Sequence, residues 1–196
     1  MENGIRERRR NEILKAAIEE FSRCGFDATR IDAVARRAGI GKSTVYEYFP
    51  SKEDLFVAAG QQLIDGILST LRDALETSPT IREVMTRYFR CITDLNRCTA
   101  AALSTLQNGS GIFERMQELA MDFCGQTHGL LMQALRAAAE RGEIAPDSDL
   151  ETASLIMISM PGPILAGSFR NEAESFDKVV DFLMNALQTG KTVRSC

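Results

Sequence analysis

Apolar side chains recur at helical spacing along almost the whole 196-residue sequence. No stretch shows the alternation of apolar and polar residues that is expected of a half-buried β-strand. Near the C-terminal end, for example, Phe176, Val179, Val180, Leu183 and Leu187 share one face of a predicted helix. Glycine and proline breaks divide the chain into about nine such helices. The sequence therefore predicts an all-α fold.

The composition disfavours an enzyme and a metalloprotein. The chain has one histidine, His128, no tryptophan, and five cysteines without a CxxC pair. The groups that carry nucleophilic, general-base and zinc chemistry are therefore scarce, and we expect no catalytic residues, no metal and no cofactor. Since we recognise no secretory leader and no apolar run long enough for a membrane span, we expect a cytoplasmic protein with reduced thiols and no membrane partner.

Charge is distributed unevenly along the chain. Residues 1–52 carry 11 basic and 8 acidic side chains, a net charge of +3, whereas residues 53–196 carry 12 and 19, a net charge of −7. A basic head on an acidic body is typical of a protein that meets a polyanion at one end only. A helix that is basic for no functional reason gives the same count, so charge alone leaves both interpretations open.

Two helices are predicted before residue 40. The first carries an apolar stripe from Ile13 to Phe21 and ends near Gly25. The second is predicted to begin at Thr29, because Asp32 three residues later would complete a capping-box-like pair.

A short third helix follows a sharp turn. Gly39 permits the turn, Val45 and Phe49 mark the inner side of a helix over 42–49, and Pro50 ends it. Two short helices joined by a glycine-containing turn and braced by a longer helix match the helix-turn-helix plan. A fourth helix is predicted from Ser51, with an acidic residue three positions later.

The outer side of the third helix carries Lys42, Ser43, Thr44 and Tyr46. These side chains can bond to base edges or phosphates, as the second helix of a helix-turn-helix does. An ordinary solvated helix face would also be polar, so the pattern by itself leaves that interpretation open.

Four consecutive segments resemble one known family: Ile13–Phe21, Gly25–Thr29, Ile31–Ile40 and Ser43–Leu55. Together they are similar to the DNA-binding head of the tetracycline-repressor (TetR) family. The resemblance implies a helix-turn-helix DNA-binding domain over 6–66 and a larger helical bundle for ligand binding and dimerisation over 67–196. It further implies a transcriptional regulator, usually a repressor, which binds a palindromic double-stranded DNA operator as a homodimer. A small apolar or amphipathic effector would release it.

The resemblance also implies the DNA contacts. Lys42, Ser43, Thr44 and Tyr46 fall where the family's recognition helix reads or flanks base edges, and Thr29, Arg30, Tyr48 and Lys52 fall where it grips phosphates. Gly41 stands where members commonly have Ser or Thr as a cap; the helix should still form, because Gly costs only a few tenths of a kcal/mol there.

The arginines at the N-terminal end, Arg6, Arg8, Arg9 and Arg10, have two interpretations. They form an arm that lies along the minor groove or the backbone of DNA, as in some members of the family, or they are the solvated start of the first helix.

From Glu53 onward, within the fourth helix, the body is predicted as helices over 53–76, 80–98, 100–107, 112–141, 148–169 and 172–189, with Ser148 and Glu151 as a capping box. The resemblance implies a dimer interface through the last two helices, with Ile156, Phe176, Val180, Leu183 and Leu187 as candidates. Helices buried within one chain would show the same stripes.

The sequence predicts the effector pocket less clearly than the other sites. Its candidates are Phe89, Phe113, Met116, Phe123, His128, Met132, Met157 and Met160. Such residues are more often plain core. An alternative is a regulator of the same kind that is switched by oxidation of Cys91, Cys98 or Cys124. His128 lies one turn after Cys124, but the lack of a second histidine disfavours a metal site. A third interpretation is an all-α enzyme or interaction module with an incidental helix-turn-helix.

Overall fold

The computed structural model describes the backbone of residues 2–103, 111–159 and 172–189, and the side chains of 4–92, 111–159 and 177–189. Within these ranges there are eight α-helices and no strand: α1 (Glu2–Ala28), α2 (Ile31–Arg37), α3 (Lys42–Tyr48), α4 (Lys52–Thr77), α5 (Ile81–Leu103), α6 (Gly111–Glu140), α7 (Leu150–Ser159) and α8 (Glu172–Thr189). The predicted all-α class is confirmed. In the described part of the chain, no helix combines the length and hydropathy needed to cross a bilayer.

Two predicted features of the body are wrong. Helix α5 continues to Leu103, although the sequence analysis divides it near residue 99, because no glycine or proline interrupts the backbone there. Helix α7 is capped by Asp149 and not by Ser148, since the Thr152 amide donates to the Asp149 carboxylate at 3.0 Å. The Ser148 hydroxyl donates instead to the Leu187 carbonyl at 2.7 Å. The predicted helical stretch over 160–169 lies outside the described residues.

The chain divides into two compact units. Met1–Asp65 and Leu95–Met121 form the first, and Gly66–Asp94 and Asp122–Cys196 form the second. The functional division at residue 66 stays a prediction.

The first unit is built around an aromatic cluster. The rings of Phe21 and Phe26 both pack edge-on against Phe56, with centroid distances of 4.9 Å and 5.0 Å. Ile13 and Val34, both completely buried, extend this core along α1 and α2. Helix α4 joins the same core after its capping box, in which the Asp54 amide donates to the Ser51 hydroxyl at 2.9 Å.

Thr29 does not cap α2, which corrects the prediction. Arg30 is the N-cap residue and has no side-chain cap bond. The Thr29 side chain is buried, and its hydroxyl donates to the Gly25 carbonyl at 2.6 Å. This bond closes the bend near the end of α1, where Gly25 has a φ of +79° that few other residues adopt.

A buried carboxylate ties α2 to α1. Glu20 is only 4% exposed and accepts bonds from Arg23 at 2.6 Å and from the Arg37 guanidinium of α2 at 2.6 Å. The same guanidinium donates to Glu19 at 2.8 Å. The hydrogen bond from Arg23 is the main reason that the pKa of Glu20 lies below its ordinary value. Because a buried charge without partners is costly, this network favours one placement of α2 on α1.

The second unit buries the apolar stripes of α4 to α8. Met85 and Phe89 of α5, Leu135 of α6 and Met157 of α7 are completely buried. Main-chain bonds join the elements at one end, where the Ala145 amide donates to the Leu187 carbonyl at 2.8 Å. The core therefore comes from all five helices that contribute to this unit.

Replacing Glu20 tests the network. Glu20→Gln is expected to lower the free energy of unfolding by about 1–2 kcal/mol at neutral pH, because bonds to charged groups are lost from a buried acceptor. Glu19→Gln, which removes an exposed partner of the same Arg37, is the control and should cost less than about 0.5 kcal/mol. Urea unfolding followed by circular dichroism measures both.

The pH dependence follows from the lowered pKa of Glu20. Its contribution is fully present above the ordinary carboxyl value of 4.5 and is lost as the pH falls through the lower folded value. The stability difference between wild type and Glu20→Gln should therefore shrink below that pH. An unchanged difference in acid would show that the carboxylate charge is not what stabilises the contact.

Candidate nucleic-acid interface

Two buried side chains fix the orientation of α3. Val45 is completely buried and Phe49, the C-cap residue, is 3% exposed; both belong to the core of the first unit. Gly39, with a φ of +67°, lets the chain turn back between α2 and α3, and the Ile40 amide closes the turn on the Ala35 carbonyl at 3.0 Å. The side of α3 opposite Val45 must therefore face solvent.

Four polar side chains lie on the outer surface of α3. Lys42, Ser43, Tyr46 and Glu47 are exposed, and Tyr46 is 42% exposed although it is a large aromatic residue. We call these four residues the α3 face. Thr44 is half-buried beside it. The structure thus brings together on one surface three of the four residues that the sequence predicts to read or flank bases.

Lys42 has a partner that it can exchange. Its ammonium lies 3.2 Å from the Asp32 carboxylate of α2, and about half of each side chain is exposed. Exposed ion pairs of this kind contribute little, about 0–1 kcal/mol. The pair therefore holds the ammonium near the end of α3 while leaving it available to a stronger acceptor.

Gly41 is the N-cap residue of α3, as the sequence predicts, and it supplies no side-chain cap bond. Its backbone is extended, with a φ of −75°, so the position does not require glycine. A Cβ atom added there would lie 3.6 Å from the Ser43 hydroxyl, an ordinary van der Waals distance. The interface therefore has room for a hydroxyl residue that this chain does not use.

Cations and polar groups flank the α3 face. Arg30 is exposed at the start of α2. The ammonium of Lys52, which is half-buried, donates to the Asp27 carbonyl at 3.0 Å and lies 4.5 Å from the centre of the Phe26 ring. Tyr48 is half-buried at the end of α3. The hydroxyl of Thr29 is occupied by main-chain carbonyls, so it stabilises the bend at Gly25 and is not free to hold a phosphate.

Glu47 is the acidic residue on the outer surface of α3. This residue follows Ser43 by four positions and is exposed on the same outer surface. Its carboxylate repels phosphates but can accept a bond from the amino group of cytosine. Helical spacing from Ser43 predicts this outward placement from the sequence.

The candidate pocket residues are distributed over both units. Phe113 and Met116 belong to the first, where Met116 packs against the core. In the second unit Phe89 and Met157 are fully buried, and Phe123, His128 and Met132 are partly buried. Met160 lies outside the described residues. A pocket formed by these residues stays a prediction.

The candidate dimer residues on α8 lie in the interior of the second unit, and their role at a dimer interface stays a prediction. Val180, Leu183 and Leu187 are 1%, 3% and 5% exposed, because the second unit covers their stripe itself. Ile156 is half-buried, and the side chain of Phe176 lies outside the described residues. On the described parts of α7 and α8, the large apolar side chains that face solvent are Leu155, 52% exposed, and Phe182, 68% exposed.

Polar side chains also lie inside the second unit. Thr127 and Ser154 are both completely buried, and the Ser154 hydroxyl lies 2.9 Å from Nδ1 of His128. The hydroxyl of Thr127 has no hydrogen-bond partner among the described residues. An unpaired buried hydroxyl is unusual enough in a native fold to need an explanation.

The thiols and acids of the described ranges form no metal site. Cys24 and Cys91 are half-buried and Cys124 is exposed, all as free thiols, and Cys98 lies outside the described side chains. In that part of the chain, no three His, Cys, Asp or Glu side chains are grouped to hold a metal ion.

Comparison with known proteins connects this surface to a family. Residues 13–59, which include α2 and α3, match the model described as bacterial regulatory proteins of the tetR family. The HTH-type transcriptional activator FasR of Mycolicibacterium smegmatis is 38% identical over 78 residues, 40% of this chain and 36% of that protein. The HTH-type transcriptional regulator RutR of Escherichia coli is 43% identical over 60 residues, 31% of this chain and 28% of that protein. The chain thus matches only about a third of the length of these curated relatives.

A solved structure shares the fold over more of the chain. The transcriptional regulator FadR of Bacillus subtilis, in complex with stearoyl-CoA, superposes with a TM-score of 0.65 at 16% identity. The match covers 92% of this chain and 98% of that chain. At this identity the likeness shows the fold alone.

Single substitutions test the α3 face. Lys42→Ala and Tyr46→Ala are each expected to weaken binding to a duplex selected by the wild-type protein by about 1–3 kcal/mol, because each removes a contact that only bound DNA provides. Lys15→Ala is the control, since Lys15 is an exposed lysine of the same unit outside the face. Fluorescence anisotropy at fixed salt measures the affinities. Equal binding by all four proteins would exclude the face as the contact surface.

Proposed function

The chain belongs to the TetR family of bacterial regulatory proteins, and on that premise we propose that it is a sequence-specific, DNA-binding repressor. We propose that it binds a palindromic operator as a homodimer and is released by a small amphipathic effector. The observation that carries the proposal is the α3 face, which the buried Val45 and Phe49 hold outward.

Helix α3 would enter the major groove, whose width of about 12 Å admits one helix. The ammonium of Lys42 would leave Asp32 for a guanine edge or a phosphate, and Tyr46 would reach a phosphate or a thymine methyl group. Arg30, Tyr48 and Lys52 would contact the backbone on either side. Thr29 would contribute only by closing the bend that sets α2 and α3.

A second copy of the chain would complete the binding unit. A palindrome needs two α3 helices about 34–36 Å apart, or a multiple of that distance, which one chain cannot supply. The exposed Leu155 and Phe182 support association through α7 and α8, because a partner chain would remove these large apolar side chains from water. The interface would therefore use Phe182 and not the buried stripe of Val180.

The effector would bind in the second unit, where Thr127 leaves a hydroxyl unpaired. Phe123 and Met132 are partly buried on the same helix and could pack on an apolar chain, while Thr127 bonds to a polar group. Acyl-CoA esters combine these two properties. The FadR structure, which holds stearoyl-CoA in a similar fold, supports testing that class first.

Selection of bound DNA from a random pool tests the regulator and the dimer together. The wild-type chain should recover inverted repeats whose half-sites lie about one helical turn apart or a multiple of it. Phe182→Asp should shift the sedimenting species towards monomer and weaken binding to the full repeat about tenfold or more, because one head contacts only one half-site. Transcription from a promoter that contains the repeat should fall when wild-type protein is added.

The control for the dimer is Met121→Asp, which makes the same change at an apolar residue that is 63% exposed in the first unit. It should leave the sedimenting species unchanged. Recovery of direct repeats or of no consensus would contradict the palindromic dimer.

Thr127→Val tests the effector site. In the free protein the change should be neutral or slightly stabilising, because it replaces an unpaired buried hydroxyl by a methyl group. Stearoyl-CoA should displace wild-type protein from DNA, and the variant should need about fivefold to tenfold more, since a hydrogen bond contributes about 1 kcal/mol. Thr86→Val, on the surface of α5, is the matched control. Displacement by free coenzyme A at the same concentration would exclude the acyl chain as the recognised feature.

A further inference from the structure

Two of the four N-terminal arginines lie against the end of α3. The guanidinium carbon of Arg6 is 5.8 Å from the centre of the Tyr48 ring, and that of Arg10 is 5.3 Å from the centre of the Phe49 ring. They are four residues apart, so they project from one side of α1. Together with Glu7 and Tyr48 they line a recess of about 510 Å³. We call Arg6 and Arg10 the arginine pair.

The other two arginines are directed elsewhere. Arg9 donates to Glu12 at 2.7 Å, one turn along α1. Arg8 lines a separate cleft with Glu12, Lys15 and Gln62. The basic run that looks uniform in the sequence is therefore divided by the helix into a pair beside α3 and two residues away from it.

Helix stability does not explain the arginine pair. Like charges four residues apart on a helix repel each other. The rings of Tyr48 and Phe49 offset part of this cost by stacking on the guanidiniums. They also hold both groups in one place, so little side-chain freedom is lost when an anion arrives.

We propose that the arginine pair is a preformed phosphate site, which holds the DNA backbone beside the half-site that α3 reads. The inference rests on the proposed function, because the phosphates belong to the same duplex. It places the anchor on the helical start of α1, not on an extended arm in the minor groove. Arginine suits the task, since its planar guanidinium can donate two bonds to one phosphate while its face stays on a ring. Glu7, at the rim of the same recess, would turn the phosphate towards the two guanidiniums by repulsion.

The contact carries no sequence information, so it should raise affinity for every duplex alike. Each phosphate contact that is lost should lower the slope of log affinity against log salt by about 0.9. The double variant Arg6→Gln and Arg10→Gln should therefore bind the selected duplex at least tenfold more weakly at moderate salt, with a flatter slope and an unchanged consensus. Arg6→Lys with Arg10→Lys should retain most of the slope, because the charge remains.

The matched control is the double variant Arg8→Gln and Arg9→Gln, which removes the same charge from the same helix. Its slope should equal that of wild type, and circular dichroism should show that both double variants keep their helix content. If the two Gln double variants flatten the slope equally, the arginine pair is part of a diffuse basic arm and the proposal is wrong. If wild-type protein selects a consensus, and replacing the arginine pair changes neither the affinity for that consensus nor the salt slope, the phosphate site is wrong while the proposed function stands. If wild-type protein binds no DNA, both fail.

Discussion

The burial of Val45 and Phe49 is the contact on which the rest of the candidate interface depends. A helix of seven residues has too few internal bonds to persist alone, so α3 exists because one side of it packs on the first unit. Burying a valine or a phenylalanine side chain stabilises by about 1.5–3 kcal/mol each, whereas the exposed Lys42 and Asp32 pair contributes at most about 1 kcal/mol. Packing therefore determines which side of α3 faces outward, and the ion pair only influences the conformation of the Lys42 side chain on that surface.

Buried polar groups then set the angle at which this surface is presented. Glu20 bonds to the Arg37 guanidinium of α2, and the Thr29 hydroxyl closes the bend that precedes the same helix. Apolar packing tolerates small shifts, but an ion pair to a buried carboxylate and a hydroxyl bond of 2.6 Å are directional. Such bonds favour one orientation of α2 over slightly different ones. A surface that must fit a DNA groove requires a defined orientation.

Much of the first unit could be predicted from the sequence, because its signals are local. Gly39, Gly25 and the spacing of Val45 and Phe49 gave the turn, the bend and the inner side of α3 without knowledge of any neighbour. Thr29 shows where pattern reasoning stops: a threonine three residues before an aspartate satisfies a capping pattern, yet its hydroxyl donates to the Gly25 carbonyl four residues earlier. That acceptor becomes available only because the backbone bends at Gly25. The apolar stripe that contains Val180 on α8 shows the same limit. Periodicity identifies a helix face that must be buried, but it does not identify which element packs against that face.

Three features of the chain each cost free energy when they have no binding partner, and each would be stabilised by a partner of different chemistry. Phe182 exposes a large ring that a second apolar surface would cover, and Thr127 buries a hydroxyl that an added polar group would pair. The arginine pair gathers two positive charges beside the end of α3, where an anion would relieve their repulsion. A protein selected only for its own stability would lose such features readily, because small substitutions remove each of them. Their presence in one chain is what a regulator requires if it binds a second copy and a duplex and is released from the duplex by a ligand, because each feature is stabilised by a different one of these partners.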